Sequence, residues 1–420
     1  MLDIIMKDIL GTPAILVGLF ALLGLLLQKK SISDIVSGTL KTIMGFIILG
    51  AGATVVSGSL DFFGKMFEKA FHIQGVVPNN EVIVAVAQNA FGTETALIML
   101  IGMIVNIILA RFTPFKYIFL TGHHTLFLSC LLASVLSVSG LSGVALVLVG
   151  SVILGLWMVI SPAIIQPYVR QVTGSDDIAV GHFGSIGYLV SGFVGKHLGN
   201  KQKTTEEVKV PKSLGFLRDS SVAVALTMAI MFFIVTLFAG QHFVETKLSD
   251  GTNFIVFAII QSITFAGGVY IILSGVRMVI AEIVPSFKGI ADKIVPNAKP
   301  ALDVPAVFPF APNAVIIGFL SSFVAGLISM ALLPLFGLAV IVPGLVPHFF
   351  TGAAAGVFGN ATGGRRGAIL GAFANGLIIS FLPALLLPVL AGLGFENTTF
   401  GDADFGFIGI ILSFIVKLFT

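Results

Sequence analysis

The chain has 420 residues, of which 56% are hydrophobic and only 10% charged, with a mean hydropathy of +1.07. No soluble globular class combines these values at this length, so the sequence reads as a polytopic membrane protein. A net charge of +3 spread over short segments gives no basis for a nucleic-acid partner, and the single cysteine, Cys130, excludes an intrachain disulfide and a cysteine metal cluster.

The N-terminal stretch MLDIIMKDIL mixes Asp3 and Asp8 with Lys7 and lacks a basic leader and a small-residue cleavage site, so no cleaved signal peptide is expected. Apolar segments long enough to span a bilayer, at about 17–25 residues each, fall near 13–29, 38–58, 94–112, 116–138, 141–166, 220–241, 253–273, 313–333, 335–350, 367–393 and 405–419. The fold class predicted is all-α integral membrane with these transmembrane helices, about eleven, because the apolar runs are continuous where barrel strands would alternate. Shorter pieces broken by Gly and Pro, at 80–93, 176–195 and 303–312, read as re-entrant hairpins or interrupted helices.

The most hydrophilic stretch, Lys196 to Asp219, holds five lysines and Arg218 against Glu206, Glu207 and Asp219. Basic residues stay in the cytoplasm, so this loop is expected there. Lys29 and Lys30 after the first span place that junction on the same side and the N-terminus outside. LSGVRMVIAEI (Leu273 to Ile283) echoes VSGTLKTIMGF (Val36 to Phe46), each followed by a broken segment and a long span. An odd number of spans per half makes the two copies inverted repeats, an architecture in which substrate binds near the midplane between broken helices.

Charged residues in apolar segments cost roughly 2.5–3.5 kcal/mol at the bilayer centre and call for a reason. His123, His182, Asp303, Glu94 and Glu282 qualify. A polar core residue hydrogen-bonded between helices is the plainer account of any one of them. Glu282, five residues after Arg277, suits a structural pair; Glu94 fits a cavity lining or an interface equally. His124 points about 100° away from His123 on one helix and suits a supporting role. His123, His182 and Asp303 stand apart because each lies beside a chain break, in LTGHH, AVGHF and ALDVP. Breaks free backbone groups, and three polar side chains with exposed backbone suit a hydroxyl-rich ligand. No phosphate-binding G-x-x-x-x-G-K-[ST] motif is present, and Arg365 and Arg366 in NATGGRRGAIL mark a helix start, a docking surface or an anion site at a helix N-terminus.

The chain resembles the ascorbate-type permeases, the enzyme IIC components of the bacterial sugar phosphotransferase system. The ordered blocks that carry the resemblance are GTLKTIMGFIILGAG (Gly38 to Gly52), LTGHHTLF (Leu120 to Phe127), VGHFGSIGYLV (Val180 to Val190), GVRMVIAEI (Gly275 to Ile283), LDVPAVFPFAPNAVIIGF (Leu302 to Phe319) and VPGLVPHFFTGAAAGVFGN (Val342 to Asn360). The galactitol permeases share the plan but fit these blocks less well. The resemblance implies a multi-pass bacterial cell-membrane protein acting as a homodimer. It implies a V-shaped scaffold from 1–75 and 220–300, a substrate-carrying core from 76–195 and 301–395, a cytoplasmic loop at 196–219 and a final helix at 405–419. It also implies rigid-body movement of the core and phosphorylation of substrate by a separate IIB protein fed by IIA, with no cofactor or metal on this chain. No IIA or IIB domain is expected on the chain, which ends at Thr420 in an apolar segment. Ligand contacts carried over are His123, His182 and Asp303; the two positions that hold glutamine in the family are Phe127 and Phe183 here, which points away from ascorbate itself toward a related sugar acid, lactone or polyol. An ion-coupled transporter using the same three polar residues is the alternative, and an intramembrane enzyme finds no H-E-x-x-H spacing or nucleophile set.

Overall fold

The computed structural model describes residues 13–71, 76–78, 80–208, 220–391 and 398–417. The first half holds α1 (Pro13–Leu27), α2 (Ile32–Phe71), β1 (Val77–Pro78), α3 (Asn80–Phe112), β2 (Tyr117–Phe119), α4 (Gly122–Val138), α5 (Gly143–Thr173), β3 (Ala179–Val180) and α6 (Ser185–Leu198). The second holds α7 (Ser220–Ala239), α8 (Gln241–Lys247), α9 (Phe254–Lys293), β4 (Lys299–Leu302), α10 (Pro312–Leu332), α11 (Leu345–Leu390), β5 (Thr398–Thr399) and α12 (Ala403–Lys417).

Among the described residues four helices are long and apolar enough to cross a membrane, at 90–112, 143–173, 312–336 and 346–390. A fifth is added if 228–239 and 241–247, bent by 101°, form one span. Shorter apolar helices lie at 122–138, 254–268 and 403–416. This is a multi-pass helical membrane protein, and helices suit that setting because each satisfies its own backbone. Two expected spans differ from expectation. The 116–138 segment opens with strand β2, held extended because Asn106 of α3 donates to Tyr117 O at 3.1 Å and accepts from Phe119 N at 3.1 Å. The 335–350 segment is not a helix: a short 3-10 turn over Leu333–Phe336 ends at Gly337 in the left-handed region (φ 69°), and α11 starts only at Leu345. Pro334, Pro343 and Gly337 account for the interruption, since proline lacks the amide that propagates a helix and glycine tolerates positive φ.

The breaks expected at 80–93, 176–195 and 303–312 are present as a non-helical Phe91 inside α3, a strand and loop before α6, and a 3-10 turn over Val304–Phe310. A further break divides α11 at Gly363 and Gly364, the latter at φ 59° and ψ −154°, a conformation side chains with a Cβ rarely adopt. Arg365 and Arg366 thus begin its second half, as a helix start. The first part of the basic loop lies against this break: Asn200 N donates to Gly363 O at 2.7 Å, Arg365 N donates to Lys203 O at 2.7 Å, and Glu206 accepts from Asn313 N at 3.0 Å at the start of α10. The side chains of Arg218, Arg277 and Glu282 and the N-terminal stretch through Thr12 lie outside the described residues.

Two apolar cores organise the helices. Ile83, Met99, Leu128, Leu131, Met158 and Phe405 join α3, α4, α5 and α12. Phe63, Phe232, Phe265, Phe319, Phe349 and Phe358 join α2, α7, α9, α10 and α11. Helices α10 and α11 approach so closely that a Cβ on Gly318 would strike the backbone of Gly352 and Gly356. The strands form two small parallel sheets, β1 with β5, and β2-β4-β3, in which Ala301 of β4 lies opposite both Phe119 of β2 and Ala179 of β3. The second sheet is anchored outside the spans by Asp176, which pairs with Lys299 and Arg170 and accepts from Gln166. Burial opposes ionisation of Asp176, but the hydrogen bonds from Lys299, Gln166 and Arg170 prevail and hold its pKa at about 2.

Candidate functional site

All three strands of the β2-β4-β3 sheet run parallel, so their C-terminal ends lie along one edge. Each strand is followed at once by a candidate residue: His123 and His124 after β2 in the first turn of α4, His182 after β3, and Asp303 after β4. Parallel pairing therefore brings together residues that are 59 and 180 positions from His123 along the chain (182 − 123 and 303 − 123). Asp303 Oδ2 stands 3.6 Å from His123 Nε2 and its Oδ1 3.9 Å from His182 Nε2. Its side chain also accepts from Val304 N at 2.7 Å, which caps the following 3-10 turn and fixes the carboxylate.

Both imidazole–carboxylate separations exceed hydrogen-bond length, near 2.7–3.2 Å. The group is open on one side: the His123 and Asp303 side chains are 21% and 16% exposed, while that of His182 is 4% exposed. The His182 ring is oriented from behind, its Nδ1 lying 2.8 Å from the Tyr188 hydroxyl of α6.

His124 lies deeper than a helix-supporting residue on a separate face requires. Its ring centroid is 3.9 Å from that of His182 and 4.7 Å from that of His123, with the rings tilted by 52° and 53°, so the three imidazoles form one cluster. His124 Nδ1 is 3.9 Å from Asp402 Oδ2, and Asp402 accepts from Asn80 Nδ2 at 3.0 Å. Asn80 follows β1 and Asp402 follows β5, so the second small sheet delivers its own polar residues to the same place. Donor atoms of His123, His124 and Asp303, and of His124, His182 and Asp402, lie within 4.8 Å of one another in each set; these are the described residues with the ligand types and spacing to hold a cation.

Phe127 packs edge-on to His123, with centroids 5.7 Å apart, and is nearly buried. Phe183 is fully buried, stacked on Phe119 at 4.6 Å and edge-on to His124 at 5.8 Å. The two rings therefore wall the histidine cluster with apolar surface. Glu94, part-buried on α3, belongs to none of these contacts. Sequence reasoning missed Asn80, Tyr188, Asp402 and Asp404. A signal for the two aspartates exists: FGDAD repeats the pattern of a glycine followed by a titratable residue, ahead of an apolar helix, seen in LTGHH and AVGHF.

A helical multi-pass membrane protein with a recessed cluster of imidazoles and carboxylates beside chain breaks has the features of a transporter. The chain belongs to the family described as the PTS system sugar-specific permease component, EIIC-GAT, whose model matches residues 8–404. It is 29% identical, over 87% of its length, to the "Ascorbate-specific PTS system EIIC component" of Mycoplasma pneumoniae. The matched region spans 63% of that relative's length. The sequence resemblance to phosphotransferase permeases is thereby borne out.

Proposed function

We propose that this chain imports a small, hydroxyl-rich acid, lactone or polyol of the ascorbate type, binding it at His123, His182 and Asp303, while separate IIB and IIA proteins carry the phosphate. The observation that carries this reading is the convergence of the three residues at the ends of parallel strands with gaps of 3.6 and 3.9 Å between carboxylate and imidazoles. A neutral imidazole donates at one nitrogen and accepts at the other, and a carboxylate accepts only. Substrate hydroxyls entering beside Asp303 therefore find donors and acceptors without a fixed positive charge. Phe127 and Phe183 supply an apolar wall in place of amides, which favours a ligand with one less polar face than ascorbate. The similarity to the ascorbate-specific component of Mycoplasma pneumoniae supports the ascorbate class of substrate.

The two inverted halves expected from the sequence are supported by the order of elements. Each half has a 40-residue helix, α2 or α9, followed by a short strand, and each small sheet takes strands from both halves. The reading includes a homodimer, the scaffold and core parts expected from the resemblance, about eleven spans, and movement of the core against the scaffold. Helix α2 packing along α9 favours that division. The basic loop faces the cytoplasm, which puts the N-terminus outside.

The test is uptake of labelled ascorbate, related sugar acids and polyols by cells producing the chain with IIA and IIB. Uptake that requires phosphoenolpyruvate and yields phosphorylated product supports the reading. Uptake that continues without phosphoenolpyruvate but stops when the proton gradient is collapsed supports the ion-coupled alternative instead.

A further inference from the structure

Asp404, in the first turn of α12, is fully buried and belongs to no contact made by the three candidate ligands. Its Oδ2 accepts from Ser185 Oγ at 2.6 Å and from Trp157 Nε1 at 3.0 Å, and its Oδ1 accepts from Ile186 N at 2.9 Å. Its own backbone N–H donates to Phe183 O at 2.9 Å. Four bonds from one residue thus end on the segment that follows His182 or on α5.

The burial of a carboxylate is retained only where donors replace water, and here every donor is a neutral group at the start of α6 or the indole of α5. The first turn of a helix presents free N–H groups and the positive end of its dipole, so a carboxylate at that point fixes where the helix begins. The His182 ring is tied to the same helix through Tyr188 at 2.8 Å. Whatever sets the start of α6 against α5 therefore sets the direction of His182 Nε2 toward Asp303.

We propose that Asp404 is a positioning residue for substrate binding, clamping the Phe183–Ile186 turn between α5 and α12 so that His182 meets Asp303 and the ligand; this rests on the reading of His182 as a substrate ligand. Asp404→Asn offers an amide in place of the carboxylate. With its oxygen toward Ile186 N, its NH2 faces the Trp157 N–H, and two donors oppose each other. Trp157→Phe removes the second donor, so the double variant should recover what the single one loses.

The experiment uses the full chain in lipid nanodiscs with labelled L-ascorbate as probe, together with hydrogen exchange of the Ile186 amide, which needs no ligand. In Asp404→Asn the ascorbate Kd should rise about tenfold or more, the scale of one charge-assisted bond lost, and Ile186 should exchange faster. Asp404→Asn with Trp157→Phe should regain most of the affinity. Trp157 is the one tryptophan in the sequence, so its emission reports the clamp directly and should shift on ascorbate addition in the wild type but not in His182→Ala. If Asp404→Asn does not fold, Ser185→Ala removes one bond and should raise Kd by about threefold. Wild-type affinity and wild-type Ile186 exchange in a folded Asp404→Asn overturn the proposal. If His182→Ala binds ascorbate like the wild type, the reading of the ligand site fails, whatever Asp404 does. If the wild type binds no ascorbate, unchanged exchange at Ile186 alone is enough to reject the clamp.

Discussion

Two regions of the apolar body bury histidine, and they treat it differently. On α10 and α11, His348 Nδ1 lies 2.9 Å from Ser322 Oγ, and nearby Asn375 Nδ2 donates to Thr351 Oγ1 at 3.1 Å. Both pairs are at hydrogen-bond length, between α10 and the first turn of α11 and between the two halves of α11, where glycines let the helices close up. At the strand ends, His123 and His182 stand 3.6 and 3.9 Å from one carboxylate, beside chain breaks and an opening. A histidine whose polar partner lies at bonding distance within closely packed helices stabilises packing; a carboxylate facing two imidazoles across gaps wider than a hydrogen bond, beside an opening, suits a guest between them. Burial alone does not separate the two, since His182 and His348 are both almost fully enclosed.

The comparison predicts opposite outcomes for similar substitutions. His182→Ala and Asp303→Asn should each cut uptake about tenfold to a hundredfold at normal membrane abundance, because each removes one or two hydrogen bonds to the ligand. His123→Ala should behave likewise, and labelled uptake normalised to membrane protein reads all three. His348→Ala should instead leave ascorbate affinity near wild type and lower the thermal unfolding midpoint, at a cost of about 1–3 kcal/mol for the orphaned Ser322 hydroxyl and the lost ring. Equal losses of affinity at His348 and His182 would dissolve the distinction.

A smaller effect sharpens the specificity side. Phe127→Gln places an amide beside His123 in a nearly buried position and should move preference toward ascorbate by up to about tenfold, the scale of one hydrogen bond. Phe183→Gln buries its amide in the Phe119 stack, so it should gain less for ascorbate and lose stability. Competition between ascorbate and a polyol for uptake measures both.

Away from the membrane core, Asp176→Asn should lower stability by less than about 1 kcal/mol, since half-exposed ion pairs are worth little. The folded pKa of about 2 lies below the usual carboxylate value, so this stabilisation is present above pH about 4 and is lost as pH falls toward 2. Wild type and variant should therefore converge in acid. For topology, Thr204→Cys in a Cys130→Ser background should react with an impermeant thiol reagent only from the cytoplasmic side; labelling of intact cells from outside would reverse the orientation.

Much of this was readable in the sequence because its physics is local. Continuous apolar runs announced helices, and Pro and Gly marked the breaks at Phe91 and 304–310, whereas the interruption at 337–344 fell inside an expected span. His123, His182 and Asp303 stood out as candidates because a titratable residue beside a break is costly without a purpose. What was not legible depends on pairing across long separations. Short strands such as Ala179–Val180 carry no periodicity to detect, yet their register with Ala301 and Leu302 is what assembles the site. His124 read as a supporting residue because helix geometry separates it from His123. It rejoins the cluster only because Asp402 and His182 arrive from other parts of the chain.

The most direct measurement is equilibrium binding of labelled ascorbate to purified wild type, Asp303→Asn and His348→Ala, each with its unfolding midpoint recorded. The account predicts that Asp303→Asn loses binding at a near-wild-type midpoint while His348→Ala keeps binding at a lowered midpoint. Retained binding in Asp303→Asn together with lost binding in His348→Ala would contradict it.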